Sequence, residues 1–273
     1  MDRSLATIIL KDGDIKLTPE EQYVTCCILN TAEYCLDTTS QLEEKLKQKV
    51  DMLKEDEVDL NEEQDSFHKV ISNAIQLLVR ALETQCDAAL TAMTKTKWDQ
   101  IEEVGDTSLY VSQMGKMIAQ MVPFVRSSIN NTRKYFNNFC MKFASSFIPR
   151  LMTHVFKCKN VGTVAGEQLL LDMQMVRMLL HELPSIGSAT AKAPPASYTR
   201  FVDNRMAKTE MILKIVMAPH EPAQLYVEDY LKVCHRRGCW CGCGGRGLCA
   251  VCCVCGGARA FLGPGTGLQL SFS

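Results

Sequence analysis

A helical rhythm of apolar side chains runs from Thr18 almost to Leu231, and period-two alternation is nearly absent from residues 17–230. Such a chain buries one stripe of each helix and offers no half-buried strands from which to build a sheet. The first segment also announces its start. Thr18 is a capping residue, Pro19 suits the first helical position, and Glu21 stands three after the cap, where it reaches back and favours the positive helix end. Val24, Ile28, Leu29, Ala32, Leu36, Leu42, Leu46 and Val50 follow at helical spacing, with the pairs Glu43–Lys47 and Glu44–Gln48 four apart.

An acidic connector from Lys54 to Asp59 precedes a second start signal, Asn61 with Gln64 three residues later. Phe67, Val70, Ile71, Ala74, Ile75, Leu78 and Leu82 mark the apolar face of this second helix, which continues through Leu90 and Met93 towards Trp98. Gly105-Asp-Thr-Ser108 breaks the pattern. A third segment runs from about Leu109 to Phe156, with Pro123 and Pro149 expected to kink or split it. Shorter helices are expected over 166–183, 197–217 and 222–231. Segments of this length far exceed the mean helix of ~11–12 residues, and they predict an all-α fold of elongated, rod-like bundles. No repeat of the armadillo or tetratricopeptide kind is visible. The expected organisation is a flexible segment over 1–16, a helical region over 17–232 and a disordered Cys/Gly-rich tail over 233–273.

Composition narrows the function classes. Of 273 residues, 22% are charged and 47% hydrophobic, which is a folding composition. No apolar run approaches the ~20 residues of a spanning helix, and the first residues lack a secretory pattern, so the expected location is the cytosol or the cytosolic surface of a membrane. Charge is segregated along the chain. Residues 1–106 carry 11 basic and 23 acidic side chains, whereas 107–166 carry eight basic and no acidic ones.

Catalytic and metal patterns are sparse, and no catalytic, cofactor-binding or metal-binding residue is assigned. His181-Glu182 and His220-Glu221 begin like a zinc-protease helix motif, but neither is followed by the second histidine four residues on. His68, His154 and His235 are scattered, and each histidine is expected to be solvated or hydrogen-bonded. No nucleophile elbow or phosphate loop occurs. Gly242-Cys-Gly-Gly-Arg-Gly247 has the spacing of a dinucleotide loop but lacks the flanking strand and helix that such a loop needs.

The cysteines divide unevenly: eight of 14 lie within the 22 positions from Cys234 to Cys255. Cys249, Cys252 and Cys255, with Cys239 and Cys241 or Cys243, have the spacing of a thiolate zinc site, but the intervening residues are not those of a folding module. A zinc- or redox-responsive adaptor working through this tail is the alternative function. The preferred reading is a translated non-coding segment, read through at an exon edge after Lys232, because a Val233 codon begins with guanine-thymine. The acid-free stretch mixes Lys116, Arg126, Arg133, Lys134, Lys142, Arg150, Lys157 and Lys159 with aromatics, and Phe136, Phe139, Phe143 and Phe147 share one helix face. A buried aromatic stripe is expected, with the cations paired to acidic helices of this chain or a partner. Anionic headgroups come second, and nucleic acid is not expected.

Several strings then carry a resemblance. They are Asn30-Thr-Ala-Glu-Tyr-Cys-Leu-Asp-Thr-Thr39, Gln41-Leu-Glu-Glu-Lys-Leu46, Ala89-Leu-Thr-Ala-Met93, Thr132-Arg-Lys-Tyr-Phe136, Phe139-Cys-Met-Lys-Phe-Ala144 and Ser146-Phe-Ile-Pro-Arg150. Glu167-Gln-Leu-Leu-Leu-Asp172, Leu183-Pro-Ser-Ile-Gly187, Ala196-Ser-Tyr-Thr199, Glu210-Met-Ile-Leu-Lys214 and Val216-Met-Ala-Pro-His-Glu-Pro222 complete the set. In this order and spacing, residues 17–232 resemble the middle to C-terminal part of the vacuolar protein sorting-associated protein 53 family, as an internal fragment or short isoform. The resemblance implies a non-enzymatic vesicle-tethering subunit acting from endosomes to the trans-Golgi network and in endocytic recycling. It also implies a peripheral location on those membranes. The implied partners are sister subunits of the Golgi-associated retrograde protein and endosome-associated recycling protein complexes, SNARE proteins and small Rab or Arf-like GTPases. No cofactor is implied. Helices lacking their family neighbours are expected to leave apolar stripes exposed.

Overall fold

A computed structural model describes residues 16–129, 133–188, 193–217, 258–261 and 269–272. The body is all-α, with six α-helices among the described residues: α1 (Pro19–Lys47), α2 (Asn61–Lys95), α3 (Leu109–Ser128), α4 (Arg133–Val155), α5 (Thr163–Glu182) and α6 (Ala196–Met217). Short 3-10 turns at Met52–Glu57, Trp98–Gln100 and Leu183–Ser185 join them. α2 is the central helix, packed against α1, α3 and α4; α5 and α6 pair with each other and meet α3 and α4 respectively.

The start of α1 is as the sequence predicts. Thr18 Oγ1 accepts from the Glu21 amide at 3.2 Å, and the Glu21 carboxylate accepts from the Thr18 amide at 2.9 Å. The Glu43–Lys47 pair forms at 2.7 Å. Thr25, Cys26, Leu29, Ala32 and Leu36 are its buried face. The aromatic stripe is buried too: Phe139 and Phe143 have no exposure, and the Phe143 and Phe147 rings stack at 5.0 Å between centroids. Together with Ile75, Leu78, Leu82 and Leu90 of α2 they belong to one apolar core.

Three expectations need correction. Asn61 is not the cap of α2; Leu60 holds that position without a side-chain bond, and Asp59 Oδ1 accepts from the Asn61 amide at 2.8 Å. Gln64 accordingly does not reach back but donates to Glu43 Oε2 of α1 at 2.6 Å. The third segment divides between Ser128 and Arg133, with Pro123 and Pro149 both inside helices. The division coincides with capture of the Ser128 carbonyl by Asn30 Nδ2 of α1 at 2.9 Å, which occupies an acceptor that a continuing helix would use. The expected long third helix thus becomes two of 20 and 23 residues, and α2, with 35, is the longest among the described residues. Outside the helical body, two short strands, β1 (Ala258–Phe261) and β2 (Gln269–Phe272), pair antiparallel with Ala258 opposite Phe272. Both lie beyond the helical rhythm, and β2, Gln269-Leu-Ser-Phe272, alternates polar and apolar residues. The helix expected over 222–231 lies outside the described residues.

After α5, the turn Leu183–Ser185 leads to Gly187, whose φ of +72° suits glycine. A Cβ there would stand 3.0 Å from Cα and Cβ of Pro123 in α3. Gly187→Ala is therefore expected to destabilise the fold by more than about 1 kcal/mol, through left-handed strain and displacement of the turn from α3. Urea unfolding of the two chains measures it, and equal midpoints would contradict the packing.

Candidate functional site

The described polar groups do not converge on a reacting centre. They sit instead where helices end. At the start of α3, Ser108 is the capping residue but makes no side-chain cap bond, and the first turn holds no acid. The missing charge comes from α5. The fully buried Asp172 accepts from the Ser108 amide at 2.9 Å through Oδ1 and from the Tyr110 hydroxyl at 2.8 Å through Oδ2. Its carboxylate thus stands at the positive end of a helix that has none of its own. Burial, then the neighbouring Asp172 charge, raise the Tyr110 hydroxyl far above its ordinary pKa, so it stays a proton donor. Gln168, one turn before Asp172, accepts from the Gly105 amide at 2.9 Å and donates to the Asp106 carbonyl at 2.9 Å, pinning the loop that enters α3.

The same device recurs. Arg126 of α3 donates to the Pro184 carbonyl at 2.6 Å at the end of α5, and its guanidinium lies 4.8 Å from the Phe136 ring centroid. The buried Tyr198 hydroxyl of α6 donates to the Leu180 carbonyl of α5 at 2.7 Å. Trp98 Nε1 donates to the Met93 carbonyl at 3.1 Å and closes α2. Strings that carry the family resemblance, among them those ending at Met93, Asp172, Gly187 and Thr199, therefore contain residues of these locks. Sequence pattern alone does not single out Asp172, Gln168 or Tyr198, because each partner lies far away in the chain.

A second, wetter cluster joins α5 to α6. Asp203 Oδ1 accepts from Arg177 Nε at 2.9 Å and Nη2 at 2.6 Å, and His181 Nε2 lies 2.8 Å from the same oxygen. Arg177 Nη1 reaches Glu210 at 3.2 Å. His181 is thus hydrogen-bonded, as expected, and His154 Nδ1 lies 2.8 Å from the Arg150 carbonyl. His220 and His235 lie outside the described residues, as do the cysteines from Cys234 to Cys255. Among the described residues, no group of three or more His, Cys, Asp or Glu is placed to hold a metal ion. Burial pushes the Cys26 and Cys86 thiols up to about 12 and Cys158 to about 11, and it raises Cys140 as well. At neutral pH these are protonated, apolar core groups, not thiolate ligands or nucleophiles.

The acid-free stretch meets the acidic block at one ion pair among those described: Arg150 of α4 with Asp87 of α2. Lys142 reaches Ser72 of α2 at 3.1 Å. What faces solvent is more distinctive. Tyr23, Val24, Tyr34, Leu42 and Leu46 are exposed along α1, opposite its buried face. No helix among the described residues is long and apolar enough to cross a membrane.

Comparison with known proteins adds the following. A family model described as vacuolar protein sorting-associated protein 53 C-terminus matches residues 167–241, which begin in α5. The chain is 37% identical over 218 residues to the Caenorhabditis elegans vacuolar protein sorting-associated protein 53 homolog, covering 80% of this chain and 27% of the relative. It is 38% identical over 208 residues to the Arabidopsis thaliana vacuolar protein sorting-associated protein 53 A, covering 76% and 25%. Against the Saccharomyces cerevisiae vacuolar protein sorting-associated protein 53 it is 24% identical over 270 residues, covering 84% and 32%. The chain thus spans about a quarter to a third of the length of these relatives. No solved structure matches it.

Two substitutions test the site. Asp172→Asn replaces an acceptor by a donor facing buried donors and is expected to cost about 1–3 kcal/mol in chemical denaturation. An undiminished midpoint would contradict the lock. Asp203 behaves differently, being 36% exposed. Burial acts to raise its pKa, but hydrogen bonds from Arg177 and His181, with their charges, hold the carboxyl below the usual range. A lowered folded pKa stabilises at pH values above the unfolded pKa of about 4, and that contribution is lost as the pH falls through the folded value. Asp203→Asn should therefore lower Tm modestly, by the equivalent of under about 1 kcal/mol, at neutral pH. The difference should vanish as the pH drops below about 4, and a gap that widens on acidification would refute the assignment.

Proposed function

The chain belongs to the vacuolar protein sorting-associated protein 53 family, corresponding to its C-terminal part, and from that premise we propose that it is a non-enzymatic helical segment of a multisubunit vesicle-tethering complex. The complexes it serves are the Golgi-associated retrograde protein complex and the endosome-associated recycling protein complex. The traffic is retrograde from endosomes to the trans-Golgi network, together with endocytic recycling. Its partners are the sister subunits, SNARE proteins and small Rab or Arf-like GTPases, and its membrane contact is peripheral.

The observation that carries this reading is the 37% identity to the C. elegans relative over 218 residues, on a body made wholly of packed helices. Tethering asks for stiffness and recognition faces and demands no pocket. Both are present here, since buried polar side chains hold helix ends together while the outer face of α1 is left to meet other surfaces. The phenylalanines of 136–147 are buried and Arg126, Lys142 and Arg150 bond within the chain, which supports a protein partner over nucleic acid.

Affinity capture from cells is the test. A tagged chain is expected to co-purify the sister subunits, and a version ending at Lys232 should do so equally well. Capture of neither form's sister subunits would overturn the proposal, and capture that depends on residues 233–273 would transfer the working part to the Cys-rich tail.

A further inference from the structure

α5 and α6 hold each other from end to end. At one end the Met217 side chain rests on Gly166, where an added Cβ would stand 2.6 Å from Met217 Cγ. Further along, Arg177 donates to Asp203 and Glu210, and at the other end the Tyr198 hydroxyl donates to the Leu180 carbonyl. Their hold on the other four helices is sparser. Gln168 and Asp172 bond to the entry of α3, Leu179 lies against Gly115, Arg126 holds the turn after α5, and α6 meets α4. The packing of α5 on α6 is far more extensive than that of either helix on α3 or α4.

The chain joins the two parts through a segment with little to fix it. Cys158 is still anchored, its thiol lying 3.8 Å from the Met93 carbonyl at the end of α2. The next four residues, 159–162, donate no backbone hydrogen bond among the described residues, and all but Val161 are exposed. Asn160 takes a left-handed φ of 56°, which asparagine tolerates. Hinges are built from a few such positions between packed bodies. The family's C-terminal model begins just beyond this junction, at residue 167.

We propose that α5 and α6 undock from α1–α4 as one unit, turning about residues 159–162, with Asp172 and Arg126 as the latches of the docked state. Both latch groups are charged and regain water on opening, as do the Ser108 amide and the Pro184 carbonyl, so opening costs less than unfolding the body. The two helices keep their own seam throughout. The hinge goes beyond the tethering role, being a property of this chain alone, and its test uses no partner.

Native-state hydrogen exchange of the full chain, followed across urea concentrations below the unfolding transition, is that test. The amides of α5 and α6 are expected to converge on one shared opening, at rates at least about tenfold above those of the slowest α2 amides. Tyr110→Phe removes a donor to the Asp172 latch from the α3 side. It should speed exchange throughout α5 and α6 by about tenfold, although the Tyr110 hydroxyl bonds only to α5. Ile28→Val trims the buried face of α1, which packs on α2 and α3. It should speed the slowest α2 amides roughly two- to tenfold and leave α5 and α6 unchanged. Separate openings for α5 and α6, or rates no faster than those of α2, would overturn the proposal. So would an Ile28→Val variant in which α5, α6 and α2 all speed up alike, since the pair would then open only when the whole chain unfolds.

Discussion

A helix leaves four amides at one end and four carbonyls at the other without partners, and in a bundle those ends are drawn away from water. This protein meets that constraint largely by borrowing. Among the helix starts whose caps are described, only α1 opens with its own capping box. The start of α3 is served by Asp172 and the entry loop by Gln168, both from α5. The end of α3 is served by Asn30 of α1, and the end of α5 by Tyr198 of α6 and Arg126 of α3. Each loan ties two segments that lie far apart in the chain. Apolar packing supplies the bulk of the driving force but is indifferent to small slides along a helix. A hydrogen bond to a particular carbonyl is not, so the borrowed caps fix where each helix stops against its neighbours.

Borrowed capping explains why a scaffold with no reacting centre among its described residues still holds a fully buried carboxylate. Asp172 lies within two strong hydrogen bonds and at a helix N-terminus, which offset the cost of taking its charge out of water. Perturbed side chains cluster at active sites in many enzymes. Here the strongly raised groups, Tyr110, Tyr198 and four thiols, are raised chiefly by burial. They report packing.

Much of the fold was legible in the sequence because it rests on local rules. The capping box at Thr18, the stripe of Phe136, Phe139, Phe143 and Phe147, and the break at Gly105 each depend on residues within a turn or two of one another. Prolines were misleading. Pro123 and Pro149 are obstacles in an isolated helix, yet each lies inside a helix here, and the chain divides at Ser128, where a side chain from α1 takes a carbonyl. The polar locks were out of reach for a related reason: the partners of Asp172 are 62 and 64 positions away, and spacing rules do not extend so far. The outer stripe of α1 was present among the same apolar residues that predicted the helix. Which of them face the core and which face outward became apparent only when α2 and α3 were placed.

Native-state hydrogen exchange of the loop amides entering α3 tests the borrowed caps most directly. Gly105 and Ser108 lie outside any helix, so their amides would ordinarily exchange as fast as those of an open loop. Both are expected to be protected nearly as well as the interior of α3, because Gln168 and Asp172 hold them and release them only when α5 separates from the bundle. Exchange of both at free-loop rates, with the helices on either side still protected, would contradict borrowed capping.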